Sequence, residues 1–213
     1  MPVRYMLRKP AYRDETMIRI LTLTFGLALL GACAQTLENE APENLGEFKL
    51  RVNYAFADKA VQGPVSRDAT PQEWTAAIEK AVDLRLGRYE GSQEYDVGIS
   101  VEGYMLAPPG VPVVYNPKST AIVLVNVYDV GQKTFLAKGE QIQVLEDTTS
   151  ESALMGSGHA RTKEEQMSGL ALKVADRVEE WFAKEHRNNG WFDKRPDAVP
   201  AENTVVTQNP AQG

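Results

Sequence analysis

The sequence predicts an α+β fold: a two-layer sandwich in which a sheet of about four mainly antiparallel strands carries two helices on one face, in the order β-α-β-β-β-α. Three observations lead there. Four segments of strand length alternate apolar with polar residues or run apolar throughout, and two longer segments repeat apolar residues at helical spacing behind similar capping signals. Each helix has a single apolar stripe and most strands a single apolar face, and such elements bury those faces most economically in two layers.

The first strand is expected where Phe48, Leu50, Val52, Tyr54 and Phe56 alternate with Glu47, Lys49, Arg51, Asn53 and Ala55, which gives one dry and one wet face. Ala57 to Ala69 contains Asp58, Lys59, Asp68 and the helix-breaking pair Gly63-Pro64, and reads as a loop. Thr70-Pro71-Gln72-Glu73 opens a helix with a capping hydroxyl, proline at the first helical position and glutamate three residues after the cap. Trp74, Ala77, Ile78, Ala81, Val82 and Arg85 form its packing stripe, and the helix should run to about Arg88.

A second half-wet strand follows, with Tyr95, Val97, Ile99, Val101 and Met105 against Asp96, Gly98, Ser100 and Glu102. Ala121 to Asp129 has only Asn126 as a clear polar residue before Tyr128-Asp129, so it reads as an interior strand covered on both faces. Asp129 to Lys133 is the turn into a returning strand, Thr134 to Leu145. There Phe135 and Ala137 are odd-numbered while Ile142 and Val144 are even, and a bulge at Gly139 would restore the facing of both halves. Glu146 to Thr162 is a polar loop. Thr162-Lys163-Glu164-Glu165 then repeats the capping box, and Met167, Leu170, Ala171, Val174, Val178, Trp181 and Phe182 make the next stripe. On that helix Glu164, Glu165, Glu179 and Glu180 read as wet faces, and Lys184, His186 and Arg187 suit the dipole of its last turn.

Upstream, Ile20 to Ala32 is free of charge, an apolar run of about a dozen residues that is too short for a bilayer span of ~20. It has the length of a signal peptide's apolar region and ends in small residues. Met1 to Thr16 contains Asp14 and Glu15, which suits a basic leader poorly. Met17 gives a compact start, and Met6 is the other candidate.

Leu30-Gly31-Ala32-Cys33 resembles the lipobox of bacterial lipoproteins: an apolar residue, two small ones and a cysteine. The resemblance implies cleavage between Ala32 and Cys33, a diacylglyceryl group on the Cys33 thiol, and acylation of the new amino terminus. Cys33 is the only cysteine, so it can make no internal disulfide. Ala34 stands where inner-membrane lipoproteins often carry aspartate, so the resemblance implies an outer-membrane anchor facing the periplasm. The lipobox together with the element order resembles, in architecture alone, small envelope lipoproteins of proteobacteria, among them the lipopolysaccharide-assembly lipoprotein. No functional residue of those families maps onto this chain, and fold analogy does not carry function.

The organisation expected is a leader and signal peptide over 1–32, a lipidated cysteine and flexible tether over 33–46, one domain over 47–187 and a disordered tail over 188–213, from which Trp191-Phe192 can fold back. The tether is rich in glutamate and asparagine, and about 13 flexible residues would hold the domain ~20 Å from the membrane. Removing five basic and two acidic leader residues from 23 and 29 leaves the mature part a net charge of −9. An acidic domain without a basic cluster is a poor partner for nucleic acid or anionic lipid head groups.

No catalytic residue and no metal site are assigned, and the covalent lipid on Cys33 takes the place of a cofactor. Ser157-Gly158-His159 with Asp147 lacks the nucleophile elbow and the distant assembly of a triad. A calcium site at Glu146, Asp147 and Glu151 lacks regular oxygen-ligand spacing. The segment Ala107 to Pro117 has four prolines and is longer than a tight hairpin needs. Its Val111, Val113, Val114 and Tyr115 form a stiff apolar contact surface, or Val111, Val113 and Tyr115 fold onto a sheet edge. Two functions follow as expectations. The leading one is a non-catalytic envelope lipoprotein that binds another envelope component, a protein, in assembly or maintenance. The alternative is a carrier of a small apolar ligand in a cavity lined by Trp74, Ile99, Leu124 and Trp181.

The anchor is directly testable. With Cys33→Ser, acyl labelling should disappear and the protein should leave the membrane fraction; an unlabelled variant that stays in the membrane would overturn the lipobox reading.

Overall fold

A computed structural model of the protein describes residues 41–109, 118–146 and 161–196. The chain forms β1 (Phe48–Phe56), β2 (Val61–Gln62), α1 (Pro71–Leu86), β3 (Gln93–Met105), β4 (Thr120–Asp129), β5 (Thr134–Leu145) and α2 (Lys163–Asn189). These elements belong to a compact unit that begins at Glu43. The sheet has the strand order β1-β3-β4-β5, and β2 pairs with β3. β1 and β2 run parallel to β3, while β3, β4 and β5 pair antiparallel, so the α+β sandwich holds with one parallel edge. A parallel neighbour needs a crossover, and α1 supplies it. The segment read as a loop after Phe56 contains β2, pinned where Gly63 N donates to the Tyr104 carbonyl at 2.8 Å.

Both helices open with complete capping boxes, Thr70 with Glu73 and Thr162 with Glu165. They lie in the same direction: Lys163 at the start of α2 meets Glu73 at the start of α1 at 2.6 Å, and Glu179 further along α2 meets Arg85 near the end of α1 at 2.6 Å. Glu73 is thus both a capping carboxylate and an ion-pair partner. The Lys163 ammonium and the Thr70 amide hold its pKa at about 2, so this tie persists in acid until close to that pH.

The core lies between the helices and one face of the sheet. Tyr95, Val97, Ile99 and Val101 of β3 and Ala121, Val123, Val125 and Val127 of β4 are at most 1% exposed. Trp74, Ile78 and Val82 of α1 and Leu170, Val174, Val178 and Phe182 of α2 close over them. β4 is central, yet among the described residues it is not covered on both faces as its composition suggested. Ile122, Leu124 and Tyr128 alternate with the buried residues and stand half-buried on the other face, where none of them joins the core.

Bulges decide which residues reach the core. The bulge expected at Gly139 is present: Glu140 pairs with Val125 and Ala137 with Val127, leaving Lys138 and Gly139 opposite Asn126. A further shift at Leu136 corrects the facing of the first half, since Phe135 pairs with Tyr128 on the outer face while Ala137 turns to the core. Gly139 has φ +71° and donates its N–H to Asn126 Oδ1 at 2.9 Å. A second bulge, at Glu102, reverses the alternation so that Tyr104 is buried. The third, at Arg51, corrects the reading of β1. Leu50 pairs with Tyr95 but Val52 pairs with Asp96, so the apolar series splits between the two faces. Phe48 and Leu50 face the helices, whereas Tyr54 and Phe56 stand 52% and 56% exposed on the opposite face. Asn53 turns inward instead, and its amide donates to Asp83 Oδ1 at 2.5 Å on α1.

The domain also extends beyond the boundaries expected at 47 and 187. Leu45 is buried at its start. At its end, α2 continues to Asn189, Gly190 closes it with φ +67°, and the chain returns over the core through Pro196. Phe192 is 2% exposed, within 5.0 Å of Phe48 and 4.8 Å of Tyr95 by ring centroids, and its carbonyl accepts from Glu47 N at 2.9 Å. The expected fold-back of Trp191-Phe192 is present, and it extends the domain past the boundary drawn at 187. Replacing Phe192 by alanine empties that position and should lower unfolding stability by about 3–5 kcal/mol in a chemical denaturation experiment; a loss below about 1 kcal/mol would show that the return is not part of the core.

Candidate functional site

Three buried acids are present among the described residues, and each is held by arginine. Glu179 of α2 is 1% exposed. Its Oε2 lies 2.6 Å from Arg85 Nε, its Oε1 accepts from Arg88 Nη2 at 2.6 Å, and the Tyr89 hydroxyl donates to the same Oε1. Asp176 adds a second contact to Arg85 at 2.9 Å. Burial, with the carboxylate beside it, pushes the Tyr89 hydroxyl well above its ordinary pKa, so it stays protonated and donating. The expectation of a wet Glu179 is therefore corrected. The signal was in the sequence: Ala171, Ala175, Glu179 and Ala183 fall four apart on one row, and Arg85 lies on the stripe of α1.

Asp129, 1% exposed at the end of β4, pairs with Arg195 from the returning segment and accepts from Gln132 N at 2.8 Å. Tyr95 nearby has its pKa pushed up to about 12, first by burial and then by the Asp129 charge. His186 is tied locally, its Nδ1 donating to the Trp191 carbonyl and lying 3.3 Å from Asp193 Oδ1. The third acid, Glu146, is 6% exposed. It lies 2.8 Å from Arg161 Nη1 and accepts from Ser119 N at 3.2 Å, so the residue considered for a solvated calcium site is a buried ion-pair partner. Beside it, Gln166 Nε2 donates to the Ala107 carbonyl at 3.1 Å.

These clusters join elements. Each carboxylate accepts from an arginine and at least one further donor, so its hydrogen-bonding capacity is taken up within the fold. Among the described residues no group of three or more histidines, cysteines, aspartates or glutamates is placed to hold a metal, and no helix is long and apolar enough to cross a membrane. The lining named for a small-ligand cavity is not assembled. Trp74 and Ile99 lie in the core, while Leu124 stands on the opposite face of the sheet. Ala32, Cys33, Val111, Val113, Val114, Tyr115, Asp147, Glu151, Ser157 and His159 lie outside the described residues.

The other notable feature is the sheet face turned away from the helices. Among the described residues five rows cross it: Val52, Asp96, Tyr128 and Phe135; Tyr54, Gly98 and Asn126, with Lys138 at the β5 bulge; Phe56, Ser100, Leu124 and Gln141; Val61, Gly103, Ile122 and Gln143, with Glu102 at the β3 bulge; and Met105, Thr120 and Leu145. Charge stands at one end, where Arg51 binds Asp96 in a two-point contact at 2.8 and 2.5 Å.

No family model matches the chain, and no curated protein matches it in sequence. Among solved structures it is similar to the XCC0632 protein of Xanthomonas campestris, from the DUF330 family, at 12% identity and TM-score 0.40, over 70% of this chain and 92% of that one. It is also similar to a Caulobacter crescentus CB15 protein provisionally named a lipoprotein, at 13% identity and TM-score 0.33, over 62% and 90%. A third is the PelC dodecamer of Paraburkholderia phytofirmans, at 9% identity and TM-score 0.32, over 63% and 89%. TM-scores below 0.5 make these likenesses of outline, without functional weight.

The Glu179 cluster makes its own prediction. Glu179→Ala leaves Arg85 buried without its main counter-charge and should cost about 3–5 kcal/mol of stability. An unchanged denaturation midpoint would show that the cluster does not hold the helices together.

Proposed function

We propose that this chain is a non-catalytic binding protein of the cell envelope, held at the membrane by lipid on Cys33 and working by contact with a protein of the envelope. The observation that carries the reading is the disposition of polar groups. The buried acids are spent on arginines within the fold, and the large aromatics Tyr54 and Phe56 are left on the surface. Catalysis needs groups whose protonation or bonding is unfinished in the resting protein, and binding needs surface. An anchor and a tether of about 13 residues would let the domain turn toward a partner while staying at the membrane. By its lipobox resemblance the anchor sits in the outer membrane and faces the periplasm.

Capture of the lipidated protein from membranes, followed by mass spectrometry, tests the reading. An envelope protein should co-purify, and Val113→Ser with Val114→Ser should abolish its recovery while leaving the melting temperature unchanged. If the wild type recovers nothing beyond a bare-resin control, binding to an envelope protein is wrong. If the double variant loses stability and keeps its partner, the segment is a cover for the sheet and not a contact.

A further inference from the structure

The path of the chain gives the domain two unlike poles. The starts of β1, β3 and β5 and the end of β4 lie together, since Phe48 pairs with Gln93, Tyr95 with Asp129 and Asp129 with Thr134. The folded unit is both entered and left at this pole. At the entry the Glu43 carbonyl accepts from the Tyr89 hydroxyl at 3.0 Å. Near the exit Gln93 Nε2 donates to the Asp193 carbonyl at 2.8 Å, and Arg195 pairs with Asp129. From there β3 runs 13 residues, about 40 Å at ~3.3 Å per residue, to a second pole where Met105, Thr120 and Leu145 share a row.

The large apolar side chains left in solvent gather toward the second pole. Among the described residues Phe56, Val61, Val65 and Leu145 are exposed there, against Leu84 and Phe135 toward the first pole. Val65 is placed by its neighbours: Gly63 N donates to the Tyr104 carbonyl and Ser66 Oγ accepts from Leu106 N, both at 2.8 Å. Glu102, at the β3 bulge, is the charged residue of the three rows nearest this pole. The backbone beneath is held by buried polar contacts. Ser119 Oγ accepts from Ala107 N at 3.1 Å, and the Glu146 carboxylate accepts from Ser119 N at 3.2 Å and Arg161 Nη1 at 2.8 Å. These bonds fix the ends of three strands and the start of α2 against one another, the kind of rigid support a contact surface needs.

We infer that the second pole is where the domain meets its envelope protein, through the apolar surface around Phe56, Val61, Val65 and Leu145, at the end farthest from the anchor. The inference rests on the envelope-partner reading and adds the surface and the side from which the partner comes. Because the chain enters at Glu43, a tether of about 13 residues keeps the first pole within ~20 Å of the membrane on average. The second pole then reaches roughly 40 Å farther out. The partner that fits is a protein with an apolar contact patch, standing off the anchoring membrane. The anchoring bilayer is the poorer occupant, since the exposed apolar residues gather at the opposite end from the lipid.

Site-directed cross-linking of the lipidated protein in its membranes tests this. With Cys33 acylated, one introduced cysteine is the free thiol of the chain and can carry a benzophenone maleimide. Val61→Cys and Val65→Cys should label the captured envelope protein, and Leu84→Cys and Phe135→Cys, equally open to solvent, should not. Val61→Asp with Val65→Asp should reduce its capture about tenfold or more by setting charge against apolar surface, at an unchanged melting temperature. A captured partner that neither valine position labels, or that all four positions label alike, would refute the pole and leave the envelope-partner reading standing. Lipid as the sole adduct at the second pole would do the same. A wild type that captures no protein would refute that reading itself, and the pole with it.

Discussion

The arrangement of the two helices depends on one buried carboxylate. Parallel helices bring like ends of their dipoles together, which is mildly unfavourable, so something specific must hold α1 beside α2. Glu179 does this by accepting from two arginines and a tyrosine at the C-terminal end of α1, while Lys163 and Glu73 tie the N-terminal ends. Ala171, Ala175 and Ala183, fully buried on the row of Glu179, are short enough for α2 to pack closely. With the helices fixed as a pair, one face of the sheet is dry and the other is not. That division then dictates where the strands must bulge.

Much of this was legible in the sequence. The two capping boxes located both helix starts, because that signal is local and made of adjacent residues. The Gly139 bulge was legible because the apolar residues of β5 visibly change parity. The Arg51 bulge was not: the letters of β1 keep alternating through it, and only pairing with β3 reveals that the backbone has gained a residue. Glu179 was misread for a related reason. A glutamate on a helix is usually solvated, and the partner that makes its burial tolerable, Arg85, is about ninety positions away and expected on an apolar stripe. The fold-back of Trp191 and Phe192 was legible in the sequence, but the asparagine, glycine and lysine around them left the domain boundary drawn at 187.

The same division bears on the choice among functions. The cavity expected of a small-ligand carrier had Leu124 on the side of the tryptophans, and the alternation of β4 puts it on the other side. What remains for a binding role is surface. The sheet presents it in an uncommon form, with glycine and serine on one central strand and branched aliphatics on the next.

The returning segment also bears on how the domain carries load. The chain enters at Glu43, whose carbonyl lies 3.0 Å from the Tyr89 hydroxyl and whose carboxylate lies 3.7 Å from Arg187, and it then meets the aromatic cluster around Phe48 and the hydrogen bond from Glu47 to the Phe192 carbonyl. Glu47 also accepts from Gln93 N at 2.9 Å, so a pull arriving through the tether is passed at once to β3 and to the end of α2. Tension on a membrane leash would therefore be shared by the first and last parts of the fold together, and β1 would not be peeled from its edge one bond at a time. If the domain is tethered by one end, as proposed, that closure would give it mechanical endurance.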